Sequence, residues 1–323
     1  MRPFEFAAPD SVRQALHQAR DGSAYLAGGT TLVDLMKLDV MTPTLVLDLN
    51  ALPLRGIRVD RHGLRLGALE PMSEVAANGL VATGYPMITK ALLLSASPQL
   101  RNMATIGGNL LQRTRCGYFR DTASPCNKRA PGSGCPAIDG DNRTHAVLGT
   151  SAQCVATHAS DLAVALVALD ASVVIHGATG TRRMPVAELY LLPGVTPHQE
   201  HRLRPGEIIA EVVVPTLDWA RRSTYVKVRD RSSFEFALTS AAVAVDLRHG
   251  VIEDVRVAAG GVGTTPWRLP AVERALRGRP MRTDVFEAAA MVASHGAKPL
   301  THNAFKPELL RRTIVRALTS LAV

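Results

Sequence analysis

Residues 24–37 read AYLAGGTTLVDLMK, and this stretch decides how the first part of the chain folds. The apolar residues before the glycine pair predict a short strand, and those after it predict a helix. Residues 3–6 predict an earlier strand, Ser11 predicts the start of a capped helix, and residues 44–48 predict a third strand. This alternation indicates a small βαβ unit with the glycine pair at a strand-to-helix turn.

The glycine pair has the composition of an anion-binding turn. Gly28 and Gly29 let the backbone approach a ligand closely, and the following Thr30 and Thr31 add hydroxyl donors. Residues 105–109, TIGGN, repeat this chemistry further along the chain. One such motif is weak evidence, because paired glycines are common in turns. Two in one domain predict a diphosphate held from both sides, although neither is a dinucleotide fingerprint or a P-loop.

A long polar segment, residues 112–149, interrupts the regular patterning of the chain. Loops of this length in a compact domain are usually functional or disordered. The other predicted elements are a hairpin at 57–67, a helical region at 73–95, a helix capped by Ser160, strands at 172–176, 208–214, 225–229, 240–247 and 251–259, and helices at about 270–277, 284–294 and 307–321. Pro215 and the polar residues after it predict a domain boundary.

Composition excludes several classes of protein. The chain has 323 residues, enough for about two domains, and 46% of them are hydrophobic, which is typical of a globular protein. Aromatic residues make up 4%, too few for a platform that stacks single-stranded nucleic acid. The net charge of +9 comes from scattered arginines and favours acidic partners or ligands over a nucleic-acid tail. No apolar run predicts a membrane span or a signal peptide.

All four cysteines lie within 39 residues, in the pattern C-x9-C-x8-C-x18-C that starts at Cys116 and ends at Cys154. Zinc sites usually contain a close cysteine pair, and none is present here. Four thiolates from a flexible loop suit an iron–sulfur cluster, and the neighbouring arginines and lysines would offset its negative charge. The spacing alone leaves three interpretations open: an iron–sulfur cluster, a zinc site, or structural cysteines, including disulfides.

Two segments resemble the FAD-binding subunits of the molybdenum hydroxylases, which include xanthine dehydrogenase, carbon monoxide dehydrogenase and aldehyde oxidoreductases. They are residues 27–37 and residues 104–110, ATIGGNL, and the likeness extends through Lys227-Val228-Arg229 into the rest of the chain. The resemblance implies an α+β fold, with a two-subdomain, PCMH-type FAD-binding domain and a smaller α+β C-terminal domain. The expected bounds are 1–216, with subdomains at about 1–55 and 56–216, and then 217–323.

A narrower resemblance concerns the cysteine-rich segment. Residues 99–102 (QLRN), 109–116 (NLLQRTRC) and 126–135 (CNKRAPGSGC) are similar to the flavin subunits of bacterial periplasmic aldehyde oxidoreductases. Those subunits hold an extra [4Fe-4S] cluster in an insertion that most flavin subunits lack. The resemblance therefore implies an iron–sulfur insertion at about 112–154. Its implied ligands are Cys116, Cys126, Cys135 and Cys154.

Matching positions also imply a set of FAD contacts. They are Tyr25, Leu26, Ala27, Gly28, Gly29, Thr30, Thr31 and Leu32 in the first motif, Thr105, Gly108 and Asn109 in the second, and Arg115, Asp161, Ile209 and Lys227 elsewhere. Asp161 matches an acidic residue near the ribityl chain or flavin ring, and Lys227 a basic residue near a ring carbonyl. Each has a plainer alternative: helix capping for Asp161, strand core for Ile209, and a solvated side chain for Lys227 or Arg115.

The resemblance implies an electron-transfer subunit without catalytic residues of its own. A molybdenum-cofactor subunit would oxidise an aldehyde, and a [2Fe-2S] subunit would pass electrons to FAD here and on to an external acceptor. Two alternatives are a stand-alone flavin oxidase or dehydrogenase, with His158 or His176 as its base, and a zinc-stabilised binding module. The implied location is the periplasm, reached by co-export with a signal-bearing partner, and the alternative is the cytoplasm.

Overall fold

Three separate β-sheets organise the chain in the computed structural model, which describes residues 1–322. The strands are β1 (Glu5–Ala7), β2 (Ser23–Leu26), β3 (Leu45–Asp48), β4 (Ile57–Asp60), β5 (Gly63–Gly67), β6 (Ser172–Gly177), β7 (Gly180–Pro185), β8 (Ile208–Val214), β9 (Ser223–Val228), β10 (Thr239–Arg248), β11 (Val251–Gly260) and β12 (Trp267–Arg268).

Short helices connect and cover these sheets. They are α1 (Val12–Gln18), α2 (Leu32–Lys37), α3 (Met72–Ala77), α4 (Gly79–Gly84), α5 (Pro86–Leu94), α6 (Pro98–Met103), α7 (Ile106–Leu110), α8 (Gly117–Arg120), α9 (Asp161–Ala168), α10 (Val186–Leu189), α11 (Pro270–Leu276), α12 (Thr283–Ala290), a 3₁₀ helix (Met291–Ser294) and α13 (Lys306–Thr319). No helix among residues 1–322 is long and apolar enough to span a bilayer.

The first sheet is parallel, in the order β1-β3-β2. Its crossover helix α1 is capped by Ser11, whose Oγ accepts a hydrogen bond from the backbone N–H of Gln14. The predicted βαβ unit is therefore confirmed. The glycine pair follows the carboxyl end of β2, which is where open sheets with parallel strands usually bind ligands.

The second sheet is antiparallel, in the order β4-β5-β8-β6-β7, and packs against α3, α5 and α9 in the largest core. Every residue of α9 is buried, because the helix lies between α5 on one side and β10 and β11 on the other. A helix that is apolar all round is suited to such a place. Since α9 touches both halves of the molecule, it fixes Asp161 at its first position between them.

The third sheet is antiparallel, in the order β12-β11-β10-β9, and α11, α12 and α13 form a second core with it. The mixture of one parallel and two antiparallel sheets with flanking helices confirms the α+β prediction. The prediction was coarser than the structure around residues 73–95, where three short helices replace one region. Asn78 ends the first of them and caps the second by accepting hydrogen bonds from the backbone N–H groups of Leu80 and Val81.

Candidate cofactor sites

A cavity of about 440 Å³ lies where both glycine motifs meet α9 and β9. This volume falls within the range of small-molecule sites, ~300–1,000 Å³. The predicted site residues that line it are Thr30, Thr31, Gly108, Asn109, Arg115, Asp161 and Lys227. The structure therefore brings the two motifs together across one space. Arg231, Phe234, Glu235 and Phe236, on the loop between β9 and β10, also line it.

The two glycines of the first motif have different roles. A Cβ on Gly28 would lie 1.8 Å from the carbonyl oxygen of Met103, so this glycine lets the first motif pack against the chain that leads into the second. Gly29 has a φ of +70°, in the left-handed region that favours glycine. The sequence predicted that a ligand approaches the backbone at Gly28. In the structure the backbone of Met103 makes this close approach, and Gly29 provides the turn conformation.

The second motif is the first turn of α7 rather than a loop. Thr105 is buried and caps this helix, since its Oγ1 accepts a hydrogen bond from the backbone N–H of Gly108 at 3.2 Å. The Asn109 Oδ1 accepts a hydrogen bond from the Ser160 hydroxyl at 2.5 Å. Because Ser160 also caps α9, Asn109 couples the second motif to the helix that carries Asp161.

A buried ion pair forms one wall of the cavity. The Lys227 Nζ donates to Asp161 Oδ2 at 2.7 Å, and the two side chains are 1% and 7% exposed. The Tyr225 hydroxyl donates to Asp161 Oδ1 at 2.6 Å, and burial raises the pKa of Tyr225 well above its usual range. The Ser95 Oγ lies 3.0 Å from Asp161 Oδ2. Asp161 is therefore more than a helix cap, and Lys227 is not a solvated strand end.

Arg115 forms part of the opposite wall, next to Cys116 in the chain. Its guanidinium donates to Asp34 Oδ2 at 3.1 Å and lies over the ring of Phe236, 5.2 Å from the centroid. Its Nε is buried and has no hydrogen-bond partner among residues 1–322, and burial lowers the pKa of Arg115. A buried donor without a partner at the edge of a cavity fits an acceptor supplied by a ligand.

The other predicted FAD contacts do not line this cavity. Tyr25 donates its hydroxyl to the carbonyl of Gly206 at 2.8 Å, and burial raises its pKa to about 12. Ile209 is 4% exposed within the largest core, which is the plainer alternative predicted for it. The remaining residues of this group belong to the two motifs but do not line the cavity. They are Leu26, Ala27, Gly28, Gly29, Leu32 and Thr105. Their contact with a cofactor stays a prediction.

The four cysteines line a second, smaller cavity. Cys116, Cys126, Cys135 and Cys154 all contribute to its wall, together with His145 and Lys128 among others. All four are free thiols, so the disulfide alternative finds no support here. Cys126 and Cys154 are buried, while Cys116 and Cys135 are partly exposed.

Burial disfavours bare thiolates at this place. It raises the pKa of Cys116 to about 12, although backbone hydrogen bonds from Phe119 and Tyr118 to the sulfur oppose the shift. Burial likewise raises the pKa of Cys135 and of Cys154. A metal that replaces the thiol protons would supply positive charge at the sulfur atoms and so stabilise the thiolate form.

Backbone hydrogen bonds reach the sulfurs of Cys116, Cys135 and Cys154, which is a common way to stabilise metal-bound thiolates. Among residues 1–322, no three His, Cys, Asp or Glu side chains are placed so as to hold one metal ion. The assignment of these cysteines to an iron–sulfur cluster therefore stays a prediction.

Neither histidine considered as a flavin base lines the larger cavity. His158 is half-buried, its Nδ1 accepts a hydrogen bond from the backbone N–H of Ser160, and its ring meets Tyr190 edge-on at 4.4 Å. His176 lies on β6 with Nδ1 2.8 Å from the Thr181 hydroxyl. The stand-alone oxidase alternative needs a base beside the flavin, and neither of these two histidines lines the larger cavity.

Comparison with protein families accounts for nearly the whole chain. Residues 2–217 match the FAD binding domain in molybdopterin dehydrogenase, and residues 224–322 match the CO dehydrogenase flavoprotein C-terminal domain. The chain belongs to the FAD-binding subunits of the molybdenum hydroxylase family. It is thus an oxidoreductase flavoprotein subunit, as the resemblance implied.

Individual relatives agree with this assignment. The chain is 44% identical to the aldehyde oxidoreductase FAD-binding subunit PaoB of Escherichia coli (strain K12), with 98% of each chain covered. It is 28% identical to the glyceraldehyde dehydrogenase medium chain of Sulfolobus acidocaldarius, over 99% of this chain and 96% of that one. A structure of carbon monoxide dehydrogenase from Hydrogenophaga pseudoflava superposes with a TM-score of 0.76 at 25% identity, covering 99% and 97% of the two chains.

Sequence reasoning missed several residues at and around the larger cavity. Asp34 and Arg120 line the larger cavity and pair with each other, and Tyr225 and Ser95 surround Asp161. Asp34 could have been found, because it lies one helical turn after Thr30 and Thr31 and shares their face. Arg120, in contrast, comes from the polar segment, where no periodicity indicates which side chains turn inward.

Proposed function

We propose that this chain is the FAD- and [4Fe-4S]-containing electron-transfer subunit of a heteromeric, molybdenum-dependent aldehyde oxidoreductase. The observation that carries the proposal is the proximity of two sites in one chain. Arg115 lines the larger cavity, and its neighbour Cys116 lines the cysteine cavity. The similarity to an aldehyde oxidoreductase FAD-binding subunit, at 44% identity, supports the substrate class.

The groups that line the larger cavity suit the two ends of FAD. Thr30, Thr31 and the N-terminal turn of α7 would hold the diphosphate, while the Asp161–Lys227 pair would meet the flavin end. Bound FAD supplies reversible one- and two-electron chemistry. The protein contributes a cavity in which the Asp161–Lys227 pair is already formed, which lowers the cost of ordering this wall when a ligand binds.

Cys116, Cys126, Cys135 and Cys154 would ligate the cluster. Lys128 is 10% exposed and pairs with Glu200 at 3.0 Å, and its charge lowers the pKa of Cys154 against the effect of burial. Such a buried cation would offset part of the negative charge of four thiolates. We expect it to raise the reduction potential of the cluster for this reason.

The partners of this subunit would be a molybdenum-cofactor subunit and a [2Fe-2S] subunit, with an external electron acceptor beyond FAD. The domain division at about residue 216, with subdomains about 1–55 and 56–216 and a cysteine-rich insertion at about 112–154, belongs to the same proposal. So does a periplasmic location reached with a signal-bearing partner. A subunit with redox cofactors and no substrate site is expected to bury a large surface in its complex.

The test is anaerobic reduction of the co-expressed three-chain complex by an aldehyde. We expect the flavin absorbance to bleach after aldehyde is added, and the chain to co-purify with a molybdenum-binding and a [2Fe-2S] partner. A complex in which aldehyde is consumed while flavin and iron–sulfur absorbance stay oxidised under anaerobic conditions would refute the electron path. An isolated chain that oxidises aldehydes on its own would refute the proposal that a partner subunit carries out the oxidation.

A further inference from the structure

The helix that follows the glycine pair is tied to the cysteine-rich segment by a shared carboxylate. Asp34, on α2, accepts hydrogen bonds from Arg120 through Nη1 at 2.7 Å and Nη2 at 3.0 Å. It also accepts one from Arg115 Nη1 at 3.1 Å. The Arg120 contact is bidentate, which is the most specific geometry for such a pair. Both arginines belong to the segment that contains Cys116.

Apolar packing reinforces the tie beside these ion pairs. Leu35, adjacent to Asp34, is buried in one cluster with Phe119 and Cys126, and Cys116 packs against the same cluster. Phe119 is fully buried, and the Arg113 guanidinium lies 4.6 Å from the centre of its ring. Thus α2 contacts two of the four cysteines through its apolar face, while its polar face holds the arginines on either side of Cys116.

The charged Asp34 carboxylate holds both arginines in position. The hydrogen bond and charge of Arg120 lower the pKa of Asp34, so Asp34 remains ionised. Asp34, Arg115 and Arg120 all line the larger cavity beside Thr30 and Thr31. Without Asp34, two guanidinium groups on the cavity wall would lose the partner that fixes their positions. The apolar packing of Leu35 against Phe119 and Cys126 would then be left to hold the first glycine motif and the cysteine-rich segment together.

We propose that Asp34 is a positioning residue that makes FAD retention depend on the order of the cysteine-rich segment. This inference rests on the proposed function, because the metal is what orders that segment. Iron bound to the four cysteines would hold Arg115 and Arg120 in place, and they would hold α2 and the preceding glycine turn through Asp34. Since linkage is reciprocal, bound FAD would strengthen cluster retention by the same factor.

The experiment compares FAD affinity before and after iron is removed from the full chain by a chelator under anaerobic conditions. FAD dissociation constants are measured by quenching of flavin fluorescence for the unmodified protein, Asp34→Asn and Asp39→Asn. Asp39→Asn is the matched control, because Asp39 is an exposed residue just beyond the same helix, and its ion-pair partners in the described part of the chain are Met1 and Arg2. Iron content is measured on each sample.

We expect iron removal to weaken FAD binding about tenfold in the unmodified protein and in Asp39→Asn, within the usual range of coupling between sites. In Asp34→Asn the same treatment should weaken binding by less than about threefold. The comparison does not depend on the direct effect of losing a negative charge near the diphosphate, since that effect is present with and without iron. An equal iron dependence in all three proteins, or none in the unmodified protein, would overturn the inference.

A second arm separates this inference from the assignment of the cluster. If the anaerobic chain contains no iron, the proposed cluster is wrong, and the tie is tested by Asp34→Asn, Arg120→Gln and the double variant. If the Asp34–Arg120 pair positions the glycine turn, the double variant has the same FAD affinity as either single variant. Independent, multiplying effects of the two substitutions would show that the pair does not position the glycine turn.

Discussion

Gly29 is the glycine of the first motif at which a side chain can be added without a collision with backbone. Its φ of +70° costs an L-residue about 1–2 kcal/mol, and a new Cβ would lie 3.2 Å from Val33 Cγ2 and 3.3 Å from Leu26 Cδ1. We therefore expect Gly29→Ala to lower the free energy of unfolding by about 1–2 kcal/mol and to weaken FAD binding at least several-fold. Urea unfolding and flavin titration measure the two effects.

Gly250→Ala is the matched control for this substitution. Gly250 has a φ of +79° in the turn between β10 and β11, and nothing lies within 4 Å of a Cβ there. It should show the same backbone strain without a change in FAD affinity. If Gly29→Ala binds FAD as tightly as Gly250→Ala does, the first motif does not contact the cofactor.

Lys227 and Asp161 stabilise each other with both side chains almost fully buried. Lys227→Met leaves the Asp161 carboxylate buried with Tyr225 and Ser95 as its remaining partners, and loss of one member of a buried pair costs about 3–5 kcal/mol. We expect a loss of that size in urea unfolding. Adding Asp161→Asn should restore much of it, because the uncompensated charge is then removed. An additive loss in the double variant would show that the pair is not coupled.

Arg143→Met provides the comparison at the surface. Arg143 pairs with Asp230 at 2.7 Å, but the two side chains are 46% and 51% exposed. Pairs of this kind contribute less than about 1 kcal/mol. A similar loss in Arg143→Met and Lys227→Met would contradict the role of burial at the cavity wall.

His158 makes the stability of the chain dependent on pH. Burial lowers its pKa from 6.5 to about 4, so between these values the unfolded chain binds more protons than the folded one. Stability is therefore greatest above pH 6.5 and falls as the pH drops toward 4. His158→Asn keeps an acceptor for the Ser160 N–H but does not titrate, and it should flatten this fall in urea unfolding. His62→Asn, in the exposed hairpin turn, should leave the fall unchanged.

At the scale of elements, the cysteine-rich segment has too little apolar content to order itself. Between Asp121 and Thr144, the buried residues are Cys126, Asn127, Ala137 and Asn142. We expect each change of Cys116, Cys126, Cys135 or Cys154 to serine to lower iron content sharply and to expose this segment to proteases, measured with FAD in excess. The four variants should behave alike, because any open ligand position leaves one iron exposed.

Thr122→Ser serves as the control for these variants, because Thr122 is exposed in the same segment. It should keep both iron and protease resistance. If one cysteine variant retains full iron, that residue is not a ligand, and the assignment must be redrawn around the remaining three and a different donor.

Elements with strong apolar patterns were predicted well from the sequence. The strands β8, β10 and β11 lie within one residue of their predicted bounds, and α9 begins directly after its predicted cap, Ser160, because the side chains of these elements fill the two main cores. The hairpin strand β7 was missed. Its sequence, GTRRMP, is polar because the strand lies at the sheet edge and exposes much of its length. Local patterns carry no signal for such an edge strand.

At the scale of the whole molecule, the candidate sites depend on contacts far apart in sequence. The two glycine motifs were recognisable locally, but the Asp34–Arg120 pair spans 86 residues and the Lys227–Asp161 pair spans 66. Neither partner shows from its own neighbourhood which residue it meets. The cysteines were identified as a group by their clustering in sequence, but only the fold shows that all four line one cavity.

The measurement that tests the central claim most directly is the content of FAD, iron and acid-labile sulfide per chain, on protein purified anaerobically. The account predicts one FAD with about four iron atoms and about four sulfides, and an iron–sulfur absorbance beneath the flavin bands. Zinc in place of iron, iron without flavin, or flavin without metal would contradict the claim that this single chain holds both cofactors.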